Sequence, residues 1–168
     1  VFHAARYRWR TRGKITMPMV IRMPGGGGHE GYEGHSDNPE NYFVHTPGLT
    51  VVYPSNPYDA KGLMAAALEA EDPVVFFESQ RLYPESETLV EGGVPTGYYE
   101  VELGAPATRR RGSDLTIVTI GPVLYRALAA AEKALELAPD DKVAKLRKAE
   151  VLLELGFRDE RPEATEES

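Results

Sequence analysis

Residues 17–83 read MPMVIRMPGGGGHEGYEGHSDNPENYFVHTPGLTVVYPSNPYDAKGLMAAALEAEDPVVFFESQRLY, and this stretch decides the fold. Short apolar runs at 17–23, 49–53 and 74–78 have the length and composition of buried strands. Polar segments with helix-forming residues separate them, and the turns between are brief. Such strand and helix units predict a parallel α/β sheet.

Two helix starts in this stretch are marked by an amide residue followed by proline. The first, Asn38-Pro39, predicts a short helix that runs through Val44, with the Asn38 amide as its cap and Pro39 as its first residue. The second, Asn56-Pro57, predicts a three-turn helix over residues 58–71 that presents one apolar face. Both helices are expected to connect neighbouring strands of the sheet.

After the decisive stretch, the chain changes character. Residues 84–97 lose apolar periodicity and gain proline and glycine, which predicts a linker between an α/β domain at 1–83 and the segments from residue 98 onward. Residues 98–103 alternate in the manner of a strand, and residues 115–120 resemble a buried strand. A helix is expected to begin after Gly121-Pro122.

The remaining segments are a helical region at 123–157 and an acidic end at 158–168. Small or apolar residues recur at the spacing of a tetratricopeptide-type hairpin, with a turn at 139–141. They are Ala127, Ala131 and Ala134 in the first helix and Ala149, Leu152 and Gly156 in the second. An ordinary amphipathic hairpin explains the same spacing equally well. The acidic end has no apolar periodicity and is predicted to be disordered.

Charge and composition exclude several classes of function. The net charge of −7 disfavours a nucleic-acid partner held through phosphate contacts. An arginine-rich segment at 6–12 is therefore interpreted as a surface helix rather than a nucleic-acid patch. The chain contains no cysteine, so disulfides and thiolate zinc sites are excluded. No apolar run approaches the roughly 18 residues needed to span a bilayer, and a cytoplasmic location is expected.

The glycine-rich loop at 25–34 leads to the strongest candidate for a catalytic residue. His35 follows the loop directly and precedes a predicted helix, a position that exposes an imidazole. The alternative is a loop histidine that bonds nearby backbone. The loop lacks the glycine spacing or lysine of a phosphate-binding loop. His29, Glu30 and Glu33 could join His35 as metal ligands, but the glycines prevent a helix that would align them.

Several motifs occur in one order along the chain. They are Arg22-x-Pro24, the glycine-rich loop, His35-Ser36-x-x-Pro39-Glu40, Pro47-Gly48-Leu49, PSNPYDAKGL at 54–63 and DPVVFFE at 72–78. With these motifs, the decisive stretch resembles the middle of the β subunit of the thiamine-diphosphate-dependent decarboxylating component of 2-oxo acid dehydrogenase complexes. The motif at 112–121, GSDLTIVTIG, resembles the opening strand of the same family's C-terminal domain.

The resemblance implies an α/β fold. Residues 1–83 would form part of a pyrimidine-binding, transketolase-like domain, and residues 98–122 would begin a transketolase C-terminal-like domain. The chain is expected to be incomplete at both ends relative to that subunit. It would then lack the glutamate that activates the cofactor's aminopyrimidine ring. The implied cofactor, thiamine diphosphate, would be shared with an α subunit that holds the diphosphate, and this chain would be inactive alone.

The resemblance also implies particular site residues and partners. His35 would lie at the mouth of the cofactor site and act on the substrate carboxylate and the lipoyl group. Potassium would be bound by the backbone carbonyls of Ala67, Ala70 and Asp72. The partners would be the α subunit and the lipoyl acyltransferase, with a homo-oligomer possible and with neither nucleic acid nor membrane involved.

Two other hypotheses stay open at this level. One is a helical-repeat interaction module on a remnant α/β body. The other is an engineered, computed or mis-assembled chimera without a selected function, because two family signatures meet within residues 127–133. Further repeats in a longer chain would favour the first of these, whereas an α subunit encoded beside this chain would favour the dehydrogenase.

Overall fold

The computed structural model describes residues 1–26, 36–112, 115–137 and 150–153. The helices are α1 (Phe2–Arg10), α2 (Glu40–Val44), α3 (Pro57–Glu69) and α4 (Val123–Leu137). A short 3₁₀ helix covers Gln80–Leu82. The strands are β1 (Val20–Gly25), β2 (Thr50–Val52), β3 (Val74–Ser79), β4 (Ala107–Thr108), β5 (Thr116–Thr119) and β6 (Glu150–Leu153). Within these ranges, no helix has the length and apolar character required to cross a membrane.

The first sheet is parallel and has the order β1-β3-β2, which confirms the predicted α/β class. Val74 of the central strand is in register with both Val20 and Thr50. The continuous apolar run of β3 is buried, as expected of a parallel strand covered on both faces. β1 begins three residues later than predicted, because Pro18 has no backbone N–H to contribute to a ladder.

Helix α3 begins where its sequence predicts. The Asn56 side chain accepts a hydrogen bond from the backbone N–H of Asp59 at 2.8 Å, and Pro57 is the first helical residue. Leu63 and Ala67 are buried against apolar side chains of β2 and β3. This helix covers one face of the first sheet.

Helix α2 corrects one sequence prediction. It begins at Glu40, and the cap position belongs to Pro39, with no side-chain cap hydrogen bond. Pro39, with φ −84° and ψ 16°, is the residue directly before the first helical residue, so Asn38 lies one residue too early to cap the helix. The predicted end of the helix at Val44 is confirmed.

A backbone contact joins α1 to the loop before β2. Gly48 has φ +94°, and a Cβ at this position would lie 1.9 Å from the carbonyl oxygen of Ala5. Ala5 is the buried residue of α1. The packing of the helix against this loop therefore requires glycine both for its φ and for its lack of a side chain.

We expect Gly48→Ala to lower the free energy of unfolding by clearly more than about 1 kcal/mol, because the methyl group must displace α1. Gly92→Ala is the matched control, since Gly92 has a similar φ of +82° but no atom within 4 Å of its Cβ position. The difference between the two variants in urea denaturation isolates the steric contribution. Equal losses would show that α1 does not depend on this contact.

The predicted linker segment is held against α3. The Glu87 carboxylate accepts hydrogen bonds from the backbone N–H groups of Tyr58, Leu89 and Val90 at 2.8–3.0 Å. The Lys61 ammonium donates to two backbone carbonyls further along the segment, at Pro95 and Gly97. Residues 84–97 thus run along the first turns of the helix. That they form a linker between domains stays a prediction.

The predicted strand at 98–103 is wrong. This segment pairs with no strand of the described chain and instead runs along α3, where the Val101 N–H donates to the Gly62 carbonyl at 3.1 Å. Gly62 permits this approach, since a Cβ there would lie 2.5 Å from a Val101 methyl group. The alternating pattern at 98–103 therefore reflects contact with a helix face.

The second sheet has the order β4-β6-β5 and corrects the predicted helical hairpin. α4 confirms its first helix, but Glu150–Leu153 is a strand that pairs parallel to β5 and antiparallel to β4. The run Val151-Leu152-Leu153 is compatible with a short strand as well as with a helix. Its backbone pairs with β4 on one side and with β5 on the other. The second helix is therefore wrong at these residues. The turn at 139–141, Ala149, Gly156 and the acidic end at 158–168 lie outside the described residues.

Helix α4 packs back onto the first sheet. Leu124 is fully buried in the same cluster as Val52, Leu63 and Phe76. Gly121, two residues before the helix, lies against the ring of Tyr53, where a Cβ would be 3.0 Å from two ring carbons. The apolar core is therefore continuous between the first sheet and α4.

A buried ion pair also joins the two parts of the structure. The Arg109 guanidinium, just after β4, donates to the Asp59 carboxylate in the first turn of α3. The side chains are 11% and 2% exposed, respectively, so little water competes with this contact. The Asn56 amide donates to the same carboxylate oxygen at 2.6 Å.

We expect Arg109→Met to destabilise the chain by about 3–5 kcal/mol, because it leaves the Asp59 carboxylate buried without its cationic partner. The double variant Asp59→Asn/Arg109→Met removes the uncompensated charge and should recover part of that loss. Chemical denaturation of the two variants makes the comparison. A single variant as stable as the unmodified chain would contradict the role given to the pair.

Candidate functional site

A cleft of ≈ 470 Å³ opens beside the carboxyl-terminal half of the first sheet. Ligands of open parallel sheets bind at this end of the strands. The walls come from β1, β3, the start of α3 and the turn at 80–85. Its apolar lining is Pro54, Pro57, Ala60, Met64, Phe76 and Leu82, and its polar lining is Arg22, Asn56, Lys61, Glu78, Ser79, Tyr83 and Glu85.

A three-residue cluster forms one side of the cleft. The Arg22 guanidinium donates twice to the Glu78 carboxylate, from Nε at 2.5 Å and from Nη2 at 2.8 Å. The Tyr83 hydroxyl donates to the same carboxylate at 2.9 Å. Hydrogen bonding from Arg22 lowers the pKa of Glu78 below its ordinary value, and this effect outweighs the burial of the carboxyl group.

Glu78 is therefore ionised near neutral pH, with both oxygens accepting hydrogen bonds. It fixes the turn after β3 to the edge strand β1 and is a poor proton donor. Burial, followed by the hydrogen bond to Glu78, raises the pKa of Tyr83, so this hydroxyl keeps its proton. The cluster positions the cleft wall and does not supply an acid for catalysis at neutral pH.

We expect stability to fall as Glu78 is protonated. Its folded pKa lies below that of an unfolded glutamate, about 4.5, so the stabilisation is complete above that pH and is lost as pH falls through the folded value. Thermal unfolding of Arg22→Met and the unmodified chain should differ at pH 7 and converge toward pH 3. Arg111→Met, outside the cluster, is the control. A difference in melting temperature that does not change with pH would show that the ionisation of Glu78 does not contribute to stability.

The carboxyl ends of the three strands meet at the sheet edge next to the glycine-rich loop. Gly26 has φ +86°, and a Cβ there would lie 2.4 Å from the Tyr53 hydroxyl and 3.7 Å from the Ser79 hydroxyl. Burial raises the pKa of Tyr53. Among the described residues, the buried hydroxyls of Ser55 and Ser79 have no hydrogen-bond partner. This edge is polar, enclosed and shaped by the absence of a Gly26 side chain.

The two ends of the glycine-rich loop are bonded to each other at this edge. The Gly26 N–H donates to the Asp37 carbonyl at 3.2 Å, and a Cβ on Gly25 would lie 3.3 Å from the same oxygen. The predicted catalytic residue, His35, lies two positions before Asp37. His35 itself is outside the described residues, as are His29, Glu30 and Glu33.

The predicted potassium ligands lie at the other end of α3, away from the cleft. The Ala67 carbonyl accepts a hydrogen bond from the Ala70 N–H at 3.4 Å, and the Asp72 carboxylate accepts one from Arg8 at 3.4 Å. The 13 residues of α3 separate this turn from Asn56 by about 20 Å. The potassium site stays a prediction. Its residues and the cleft lie at opposite ends of α3.

Sequence reasoning did not identify the Arg22–Glu78–Tyr83 cluster. A signal was present, because an arginine interrupts the apolar run of β1 and a glutamate occurs near the end of β3. Charged side chains in otherwise apolar strands require partners. Parallel pairing at the observed register places Arg22 opposite Phe76 and Glu78 two residues further along, within reach of its side chain.

Comparison with known proteins gives the family. The model of the transketolase pyrimidine-binding domain matches residues 1–86. The chain belongs to this family. Within it, the chain is similar to β subunits of 2-oxo acid dehydrogenases, as its motifs indicated, and the resemblance is confirmed.

Two relatives illustrate the similarity. The pyruvate dehydrogenase E1 component subunit beta of Mycoplasma genitalium is 46% identical over 123 residues, which are 73% of this chain and 36% of the relative. The 2-oxoisovalerate dehydrogenase subunit beta of Pseudomonas aeruginosa is 44% identical over 146 residues, covering 79% of this chain and 41% of the relative. The chain spans about two fifths of the length of these curated relatives.

Solved structures show the same fold. A split-gene transketolase described as an inactive beta4 tetramer matches with a TM-score of 0.62 and 22% identity, over 93% of this chain and 47% of that one. A transketolase variant from Pichia stipitis matches with a TM-score of 0.59 and 17% identity, over 88% and 21%, respectively. The predicted transketolase-like α/β architecture is confirmed.

The described residues do not by themselves fit thiamine diphosphate, the cofactor that the family implies. They contain no group of three or more acidic or histidine side chains that could hold a metal ion for the diphosphate. The glutamate at the cleft, Glu78, is held in its ionised form by Arg22 and Tyr83 and is not available to share a proton with a cofactor ring. No catalytic step is therefore assigned to these residues.

Proposed function

We propose that this chain acts as part of the β subunit of a 2-oxo acid dehydrogenase. The observation that carries the proposal is the 42–46% identity to such subunits over 73–86% of this chain. The relatives include enzymes named for pyruvate and for 2-oxoisovalerate. The substrate class proposed is accordingly a short 2-oxo acid, and the reaction is its oxidative decarboxylation.

The cofactor in this proposal is thiamine diphosphate, shared with an α subunit that holds the diphosphate and its metal. When bound, the cofactor stabilises the carbanion that remains after carbon dioxide leaves. This chain contributes the enclosed sheet edge formed by Gly26, Tyr53 and Ser79, and it presents the glycine-rich loop from that edge.

His35 is the proposed catalytic residue of this chain. The loop that contains it begins and ends at the Gly26–Asp37 hydrogen bond, and His35 precedes Asp37 by two residues in the sequence. A histidine titrates near neutral pH and can donate to a substrate carboxylate or to the acyl acceptor. The acceptor in this proposal is the lipoyl group of an acyltransferase component. Within this proposal, the cytoplasmic location and the potassium site stay predictions.

We expect thiamine diphosphate with Mg²⁺ to bind in calorimetry only when an α subunit of a pyruvate dehydrogenase is present together with this chain. The chain alone should neither bind the cofactor nor consume a 2-oxo acid, because the diphosphate ligands come from the partner. Turnover by the chain alone would overturn the shared site. Absence of binding and of association with the α subunit would overturn the proposed subunit function.

In the reconstituted assembly, His35→Ala is expected to slow acyl transfer to a lipoyl acceptor by about 10²–10⁴-fold, with an unchanged melting temperature. His45→Ala, at an exposed histidine just after α2, is the matched control and should leave transfer unaffected. A large loss of melting temperature with unchanged transfer would instead make His35 a structural loop residue.

A further inference from the structure

A basic pocket of ≈ 560 Å³ lies at the carboxyl end of α1. Its volume is within the range of sites for small molecules. Three arginines, one tryptophan and one glycine of the described chain line it, and none of these side chains is acidic. They are Arg8, Trp9, Arg10, Arg12 and Gly13, which we call the arginine pocket. The pocket is separate from the cleft, because Arg8 contacts the residues after the end of α3 and the cleft lies at the start of that helix.

Arg12 has a backbone conformation that is unfavourable for an arginine. Its φ is +55°, and no other non-glycine residue in the described ranges has a positive φ. The Arg12 N–H donates to the Trp9 carbonyl at 3.0 Å, and the Gly13 N–H donates to the Arg8 carbonyl at 2.8 Å. These hydrogen bonds form a helix end at which glycine is the usual residue in the position of Arg12. The arginine therefore costs stability at the helix end, while its side chain lines the pocket.

The three guanidinium groups of the pocket retain nitrogens for a ligand. Arg8 uses only Nη1 for its two ion pairs with the carboxylates after α3. Arg10 uses only Nη1 for its contact with His3 at 3.4 Å. Within the described part of the chain, the Arg12 guanidinium has no ion-pair partner. Because each guanidinium has five N–H donors in one plane, most of these donors can reach phosphate oxygens.

The surroundings of the pocket favour a short anion that carries a flat ring. The first 29 residues contain six arginine and lysine side chains and no acidic one, whereas all 26 acidic residues lie beyond them. A long polyanion would meet that negative charge, but a small ligand would not. The side chain of Trp9 is 73% exposed, and an indole ring stacks well on a heterocyclic base.

We propose that the arginine pocket binds a nucleoside triphosphate. The triphosphate lies on Arg8, Arg10 and Arg12, and the base stacks on Trp9. Three cationic groups match the charge of one triphosphate chain, and planar guanidinium groups suit the geometry of phosphate oxygens. The proposal does not depend on the proposed enzymatic function.

The fluorescence of Trp9 tests the proposal directly, because Trp9 is the only tryptophan of the chain. ATP with Mg²⁺ should change this fluorescence saturably, and its dissociation constant should rise as NaCl is increased from about 50 mM to about 500 mM. Adenosine and Mg²⁺-tripolyphosphate should each bind at least about tenfold more weakly, since each makes only one of the two contacts. Absence of ATP binding in fluorescence and in calorimetry would overturn the proposal. Tripolyphosphate binding as tight as that of ATP would overturn it as well.

Arg12→Gly separates binding from stability, because the two expected effects have opposite signs. Glycine relieves the backbone strain, so the melting temperature should rise. Loss of the guanidinium should weaken ATP binding by about tenfold or more. Arg6→Gln is the matched control, since Arg6 belongs to α1 but does not line the pocket, and it should leave ATP binding unchanged. A gain in melting temperature with unchanged ATP binding would contradict the proposal.

Competition with thiamine diphosphate distinguishes the arginine pocket from the cofactor site. In the presence of Mg²⁺, the metal and the thiazolium cation cancel most of the diphosphate charge, so thiamine diphosphate should not displace ATP. Displacement would assign the pocket to the cofactor and would overturn the proposal. ATP binding should be the same with and without an α subunit, so failure of the proposed subunit function does not alter this test.

Discussion

The Asp59 carboxylate is the point on which the two parts of the structure depend. It is almost completely buried, yet it accepts hydrogen bonds from Asn56 and Arg109. The contact with Asn56 belongs to the cap of α3. The contact with Arg109 holds the chain that follows the linker segment. A buried carboxylate needs both partners, because its desolvation is otherwise uncompensated. The start of the helix, the wall of the cleft and the approach of the second sheet are therefore set by the same group.

The parts of the fold that sequence predicted are those fixed by local chemistry. Asn56-Pro57 starts α3 because an amide and a proline satisfy the helix terminus without help from elsewhere. The apolar run Val74–Phe77 predicts a buried strand because the pattern lies within the segment itself. The family was predicted from the order of the motifs. From the sequence, the enclosed edge could be predicted only as the carboxyl end of a parallel sheet, without the residues that form it. Its particular members, Tyr53 and Ser79, depend on how the strand ends meet.

The failures share a different cause. Residues 98–103 alternate like a strand, but what they contact is a helix face that approaches closely at Gly62. Glu150–Leu153 carries helical spacing when considered together with the residues around it, and the pairing with β4 and β5 decides otherwise. The cluster at Arg22 required the register of two strands about 50 residues apart. In each case, the deciding partner is distant in sequence, and a pattern within one segment does not contain it.

The contact between Gly48 and Ala5 has a consequence for how this family can vary. Because this contact is made by main-chain atoms and by a missing side chain, it does not depend on which outward side chains α1 carries. Substitutions at Phe2, Arg6 or Trp9 can therefore accumulate in evolution at small cost to folding. The outward side of this helix can change in this way while the core and the sheet edge stay as they are.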